Sequence, residues 1–298
     1  MRDAWRRIGA VSAVVVGALL SGACGPKDEA PPASVADEVA SAFTRLPTPP
    51  ESSLTADAFS RAVRRGRALL NATPESLPQH VGNTLRCTSC HLDNGTRALA
   101  MPWVGVYARF PQFRARSGNV DAIEDRVNDC FKRSLNGRAL NPAGRDMKDI
   151  VTYYAWLSRG TAVGARTKGQ GIDSIGPFEG DKKRGATVFA TSCTRCHGAD
   201  GQGITIRSHP SLWAPPLWGP RSFSIGAGMA RVRVAAAFIH RHMPFDRLVA
   251  PTEGQAFDVA AFVTGQPRPD FPGKEYDWPN GDPPPDVAYA TLKKRAGP

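Results

Sequence analysis

Apolar residues at helical spacing fall in two matched pairs along the chain. One pair is Arg64-Arg65-Gly66-Arg67-Ala68-Leu69-Leu70 and Asp149-Ile150-Val151-Thr152-Tyr153, which runs on to Trp156-Leu157. The other is Lys183-Arg184-Gly185-Ala186-Thr187-Val188-Phe189 and Asp258-Val259-Ala260-Ala261-Phe262. Each stretch carries an apolar stripe of about 3.6-residue period, the pattern of a helix with one buried face. In each pair the earlier helix carries a glycine, which predicts a close crossing, and the aromatics of the later helix read as packing against it. Ile123, Val127 and Phe131 form another such stripe at and within the expected helix 124–136, flanked by arginines and aspartates. The repetition of helix pairs predicts two related units.

Between and around these pairs the pattern dissolves. Gly160 to Gly180 holds six glycines and few apolar residues, and Pro283-Pro284-Pro285 marks a proline-rich end. With 29 Gly and 26 Pro in 298 residues, the elements should be short and the connections long. Apart from these, one apolar run stands out, Ile8 to Leu20 behind Arg2, Arg6 and Arg7 and ahead of Ser21-Gly22-Ala23. It reads as an export signal, too short to span a bilayer. Cys24 follows, so two processing routes are open: lipidation at Cys24, or ordinary cleavage, which Ser21 in place of an aliphatic residue favours equally. No later stretch reaches roughly 18 apolar residues, so the exported chain is expected in the periplasm, soluble or lipid-anchored.

The formal charge of +11 falls to +9 without residues 1–23, which suits anionic substrates or acidic partners. Nucleic acid is a poor fit, since the chain is exported and carries no nucleic-acid-binding motif.

The chemistry is concentrated in Cys87-Thr-Ser-Cys90-His91 and Cys193-Thr-Arg-Cys196-His197. This is the c-type haem attachment pattern: two thiols for thioethers to the vinyl groups and a histidine for the iron. At this composition a single CxxCH arises by chance about two times in a thousand, so two copies are not accidental. A zinc site or a disulfide across each pair are the alternatives. The expected fold is all-α, two cytochrome c-like domains joined by a Gly-rich linker, with two covalently bound haems c. The expected boundaries are a signal peptide at 1–24, a flexible stalk at 25–54, the first domain at 55–160, a linker at 161–178, the second domain at 179–268 and a Pro-rich tail at 269–298, expected to wrap the domains without regular structure.

Each iron needs a sixth ligand or stays open. In the second domain the candidates are Met229, His240, His242 and Met243. Met243 precedes Pro244 and lies 46 residues past His197, which favours it, with His242 as rival. In the first domain Met101 stands too near His91 and Met147 falls inside a helix, whereas Cys130 lies 39 residues past His91. Cys130 is also the one cysteine left after the four haem thiols and Cys24. It reads either as a small buried hydrophobe beside Val127 and Phe131 or as a reactive thiol. On a helix, Arg126, Arg133 and Ser134 would share its face, and cations beside a thiol favour the thiolate.

The segments LPQHVGNTLRCTSCHLDNG, MPWVGVYARFPQFRARSG and EDRVNDCFKRSLNGRAL, with IGAGMARV, HMPF and YDWPNGDPPPDVAY, resemble the thiosulfate dehydrogenase family of dihaem cytochromes c from about residue 55 onward. The resemblance implies an oxidoreductase that couples two thiosulfates into tetrathionate, a reaction some members run in reverse, and passes the electrons to an acceptor such as a small cytochrome. It implies His91 and Cys130 as axial ligands of the first haem, and His197 and Met243 as those of the second. Arg116, Arg126 and Ser134 would line the thiosulfate site, with Cys130 catalytic. His242 stands where some relatives have lysine. A dihaem electron carrier without catalysis, and a cytochrome that loads thiosulfate onto a carrier protein, are the competing classes.

Overall fold

The computed structural model describes residues 43–204, 214–246 and 250–292. The leader, Cys24 and residues 25–42 of the stalk lie outside them. Helix α1 (Ala58–Asn71) begins at Asp57, whose carboxylate accepts from the Ser60 N–H at 2.7 Å. This satisfies one of the donors left open at a helix start. Helices α2 (Ile123–Arg133) and α3 (Arg145–Leu157) complete the first half. The second half contains α4 (Lys182–Ser192), α5 (Val232–His242) and α6 (Glu253–Thr264). Asp181 caps α4 by accepting from Arg184 N–H at 2.8 Å, and Thr252 caps α6 with a reciprocal Gln255 bond.

In each half the first helix crosses the last, α1 on α3 and α4 on α6, and α6 also packs on α5. The crossings are made by backbone. A Cβ on Gly66 would stand 2.1 Å from the Asp149 carbonyl oxygen, and one on Gly185 would stand 2.0 Å from that of Asp258. The glycine–aromatic contact expected from the sequence is met in part, with the Phe262 Cβ 2.9 Å from the Gly185 position. At Gly66 the nearest atoms are all backbone of Asp149 and Ile150. An ion pair repeats beside each crossing. Arg65 donates to Asp149 at 2.6 Å and to Asp146, and Arg184 holds Asp258 through two bonds of 2.7 and 2.8 Å.

The first half has the larger core, with Val63, Leu70, Phe131, Met147, Ile150, Tyr153 and Leu157 all buried. Phe223, Ala227 and Ala230 of the second half belong to this same core, so the halves share apolar surface. The second half buries Phe189, Phe257, Val259 and Val263 in smaller clusters. One hairpin interrupts the helical pattern: β1 (Gln112–Arg114) pairs antiparallel with β2 (Asn119–Asp121), Phe113 facing Val120. The strands are three residues each, too short for an alternating apolar pattern to reveal them. Past α6 the described residues hold a single 3₁₀ turn, Lys274–Tyr276. No helix of the described residues is long and apolar enough to cross a membrane.

Gly66→Ala tests the crossing, because helix propensity alone predicts about 1 kcal/mol of stabilisation. Forcing the helices apart costs about 1–3 kcal/mol or more, so a net loss of several degrees in Tm is expected by thermal melting. The Arg184 guanidinium holds the Asp258 carboxyl below the usual carboxylate range. A depressed carboxyl contributes stability above its unfolded pKa of about 3.9 and loses it as pH falls through the folded value. The Tm advantage of wild type over Arg184→Met should therefore be full near neutral pH and close progressively below about pH 4.

Candidate functional site

The first attachment loop is a single 3₁₀ turn, Cys87–Ser89, followed by Cys90 and His91. The His91 ring donates from Nδ1 to the Met101 carbonyl at 2.6 Å and stacks on Trp103 at 4.8 Å between centroids. That bond fixes the tautomer and leaves Nε2 as the free ring nitrogen, the arrangement that orients a metal-binding histidine. Burial pushes the His91 pKa down to about 4, so the ring is neutral. His197 repeats the device, donating from Nδ1 to the Pro215 carbonyl at 3.0 Å, and burial lowers its pKa as well.

The four motif cysteines carry no disulfide. Burial pushes the thiols of Cys87 and Cys90 up to about 12 and that of Cys193 to about 11. Among the described residues no group of three or more His, Cys, Asp or Glu is arranged to hold a metal ion. Paired free thiols beside a histidine with one ring nitrogen already committed suit covalently attached haem in both halves.

Cys130 sits in the last turn of α2, and its sulfur lies within electrostatic reach of both Cys87 and Cys90. Arg126, one turn earlier, donates from Nη1 to Cys130 Sγ at 3.0 Å. Its interaction with the Cys130 sulfur raises the pKa of that buried guanidinium. Arg114, at the end of β1, is a further cation within reach of Cys130 and Arg126, and burial lowers its pKa. Tyr154 of α3 joins the group, buried and close to Cys87, Cys130 and Arg126. The sequence offers Arg114 only as a cation near Cys130 in the chain, able to help hold a small dianion, and gives no signal for Tyr154. Arg114 lies on a hairpin too short to read, and Tyr154 lies on a helix face indistinguishable from core.

The other predicted site residues part company with the thiol to different degrees. Helix α2 ends at Arg133, and Ser134 is its C-cap, its backbone N–H donating to the Cys130 carbonyl at 2.9 Å. Arg133 does not face the thiol as an open cation, because both of its terminal nitrogens are committed to Asp277 at 2.8 and 2.7 Å. Arg116 donates to the Gly226 carbonyl at 2.8 Å, reaching from the first half to the second. Burial, with Arg133 nearby, pushes the Arg116 pKa down to about 10, which leaves it charged at neutral pH.

In the second half Met243 is the C-cap of α5, with extended backbone, followed by Pro244. It lines a cavity together with Cys193, Val188, Ile239, Pro244 and Val259. His242, one residue earlier, is fully buried with its ring 5.2 Å from that of Phe238. Of the other candidates, His240 bonds the Pro251 carbonyl at 3.1 Å, and Met229 packs on the core at the boundary of the two halves. Met147 is wholly buried in α3.

Comparison with known proteins matches residues 79–163 to the family described as SoxA/TsdA, cytochrome c domain, and residues 182–264 to Cytochrome c. A thiosulfate dehydrogenase of Psychrobacter arcticus is 41% identical over 251 residues, covering 84% of this chain and 76% of the relative. A thiosulfate dehydrogenase of Allochromatium vinosum is 44% identical over 230 residues, 75% of this chain and 85% of that one. The solved structure of thiosulfate dehydrogenase TsdBA from Marichromatium purpuratum superposes with a TM-score of 0.75 at 32% identity. The match covers 85% of this chain but 59% of that longer one. Two cytochrome c domains, each carrying a c-type haem, are thus established, and the chain belongs to the thiosulfate dehydrogenase family.

Proposed function

We propose that this chain oxidises two thiosulfates to tetrathionate at the first haem domain, with Cys130 as the catalytic sulfur. The observation that carries the reading is the 3.0 Å bond from Arg126 to Cys130 Sγ, in reach of the first attachment cysteines. A cation donating to sulfur favours the thiolate, which is both a ligand and a nucleophile. Four relatives bear the name thiosulfate dehydrogenase, which supports the same reaction for this chain.

His91 and Cys130 would hold the first iron and His197 and Met243 the second, with Cys87, Cys90, Cys193 and Cys196 as the thioether anchors. The two haems supply one-electron acceptance, and together they match the two electrons that the coupling releases. Thiolate ligation by Cys130 would lower the potential of the first site and methionine ligation by Met243 would raise that of the second, which would favour electron flow outward to an acceptor protein such as a small cytochrome. The chain's own residues do the rest. Arg126, Arg116 and Ser134 bind and orient the dianion, whose outer sulfur is brought to Cys130. The Cys130 thiolate and one thiosulfate form an S–S bond with loss of two electrons, giving a cysteine S-thiosulfonate. A second thiosulfate attacks the outer sulfur of the first, forming the central S–S bond of tetrathionate, and the Cys130 thiolate leaves unchanged. We place the protein in the periplasm, with residues 1–24 as its export signal and Cys24 as the anchor if it is lipidated.

Cys130→Ala should retain two haems per chain by pyridine haemochrome assay and lose tetrathionate formation; near-normal turnover would sink the reading. In contrast, Cys193→Ala/Cys196→Ala should leave one covalent haem by intact mass. Arg126→Leu removes a charge-assisted hydrogen bond worth about 1.5–3 kcal/mol, so kcat/KM for thiosulfate should fall about 10- to 100-fold. Anaerobic mixing of ferric protein with thiosulfate separates the classes. Haem reduction with stoichiometric tetrathionate is expected, whereas absence of reduction would point to a carrier or a thiosulfate-loading cytochrome.

A further inference from the structure

The segment after α6 does not simply trail away from the domains. Its first part lies along the second half: Gly219 N–H donates to the Pro267 carbonyl at 2.8 Å and Ile225 N–H to that of Pro269 at 2.9 Å. It then crosses to the first half. Asp277 takes both terminal nitrogens of Arg133, three residues past Cys130, while the Tyr289 hydroxyl donates to the same carboxylate at 2.6 Å. Phe271 lies under the Arg133 guanidinium at 4.1 Å. The Trp278 backbone N–H donates to the Arg116 carbonyl at 2.9 Å, and its ring lies 4.6 Å from the Arg116 guanidinium carbon.

Trp278 is itself unusual. It is 4% exposed and holds φ at +52°, a left-handed conformation that a bulky side chain adopts only where its surroundings impose it. Its neighbours do so. The Arg133–Asp277 pair pins the preceding residue, and Gly281 N–H closes the turn by donating to the Trp278 carbonyl at 2.9 Å.

We propose that residues 267–292 form a strap that holds Arg116 in place, with Trp278 and Asp277 as positioning residues for thiosulfate binding. The proposal rests on Arg116 being a thiosulfate ligand, as read above. Arg116 is gripped at its carbonyl by Trp278, at its guanidinium face by the indole, and at Nη1 by the Gly226 carbonyl. An arginine on a surface hairpin would otherwise sample many rotamers and lose that freedom on binding the anion. Asp277 has a second effect. Arg133 and Arg116 repel each other, and the carboxylate paired with Arg133 offsets that repulsion where the two guanidinium groups lie side by side. The strap thereby decides which arginine of this cluster is offered to the substrate.

The experiment compares Trp278→Leu and Trp278→Phe with wild type in the dihaem protein. Trp278→Leu is expected to raise the KM for thiosulfate about tenfold with kcat nearly unchanged, the pattern of lost ground-state binding. Haem content and visible spectrum should not move, and Trp278→Phe, which keeps an aromatic face, should recover most of the loss. Independently of turnover, Arg116 should be modified several-fold faster by phenylglyoxal in Trp278→Leu, read by peptide mass spectrometry. Wild-type KM together with wild-type labelling would overturn the strap, as would an equal fall of kcat in both variants with a disturbed haem spectrum. Faster labelling with unchanged KM would leave the strap standing and refute Arg116 as a thiosulfate ligand.

Discussion

Two helices approach to backbone contact only where one of them lacks a side chain, and both halves of this protein depend on that condition. Gly66 against Asp149 and Gly185 against Asp258 bring an N-terminal and a C-terminal helix together at the same relative place. The adjoining arginine then reaches the carboxylate of the very residue whose carbonyl the glycine touches. Backbone contact and ion pair therefore fix the crossing from two directions. With the crossing fixed, each attachment loop packs on the first helix of its pair, and its histidine is turned by a carbonyl bond: Met101 in one half, Pro215 in the other.

From this common frame the two halves diverge in the sulfur they bring near their attachment cysteines. The first inserts a whole helix, α2, whose last turn carries Cys130 under Arg126 and within reach of Arg114. The second brings Met243 on an extended residue directly after α5, in a cavity with Cys193. A sulfur set among buried cations suits an anionic sulfur substrate. A thioether in an apolar cavity suits electron transfer and excludes competing chemistry. The two halves are also one object mechanically, because Phe223, Ala227 and Ala230 are built into the first core and Arg116 is tied to Gly226.

Much of the scaffold was legible in the sequence because its signals are local. The CxxCH pairs, the Arg–Gly steps of α1 and α4 and the Asp that opens each later apolar stretch are short, repeated and tied to a single physical requirement apiece. Met243 next to a proline could be favoured over its neighbours, and Cys130 emerged from cysteine bookkeeping and the family resemblance. The hairpin of β1 and β2 was illegible, since three-residue strands carry too few positions for a period to register.

The sequence by itself therefore determined the two haem domains, the anchoring residues and the family, because each rests on residues adjacent in the chain or repeated at a fixed period. Only the tertiary structure decided which cations serve the thiol. Four arginines, Arg114, Arg116, Arg126 and Arg133, lie within twenty residues of one another and are chemically equivalent on paper. Folding commits Arg126 to Cys130, Arg133 to Asp277 and Arg116 to Gly226 and Trp278. Three of those partners come from more than a hundred residues away, and a charge's role is set by what stands within a few ångströms of it, a distance that sequence separation does not encode.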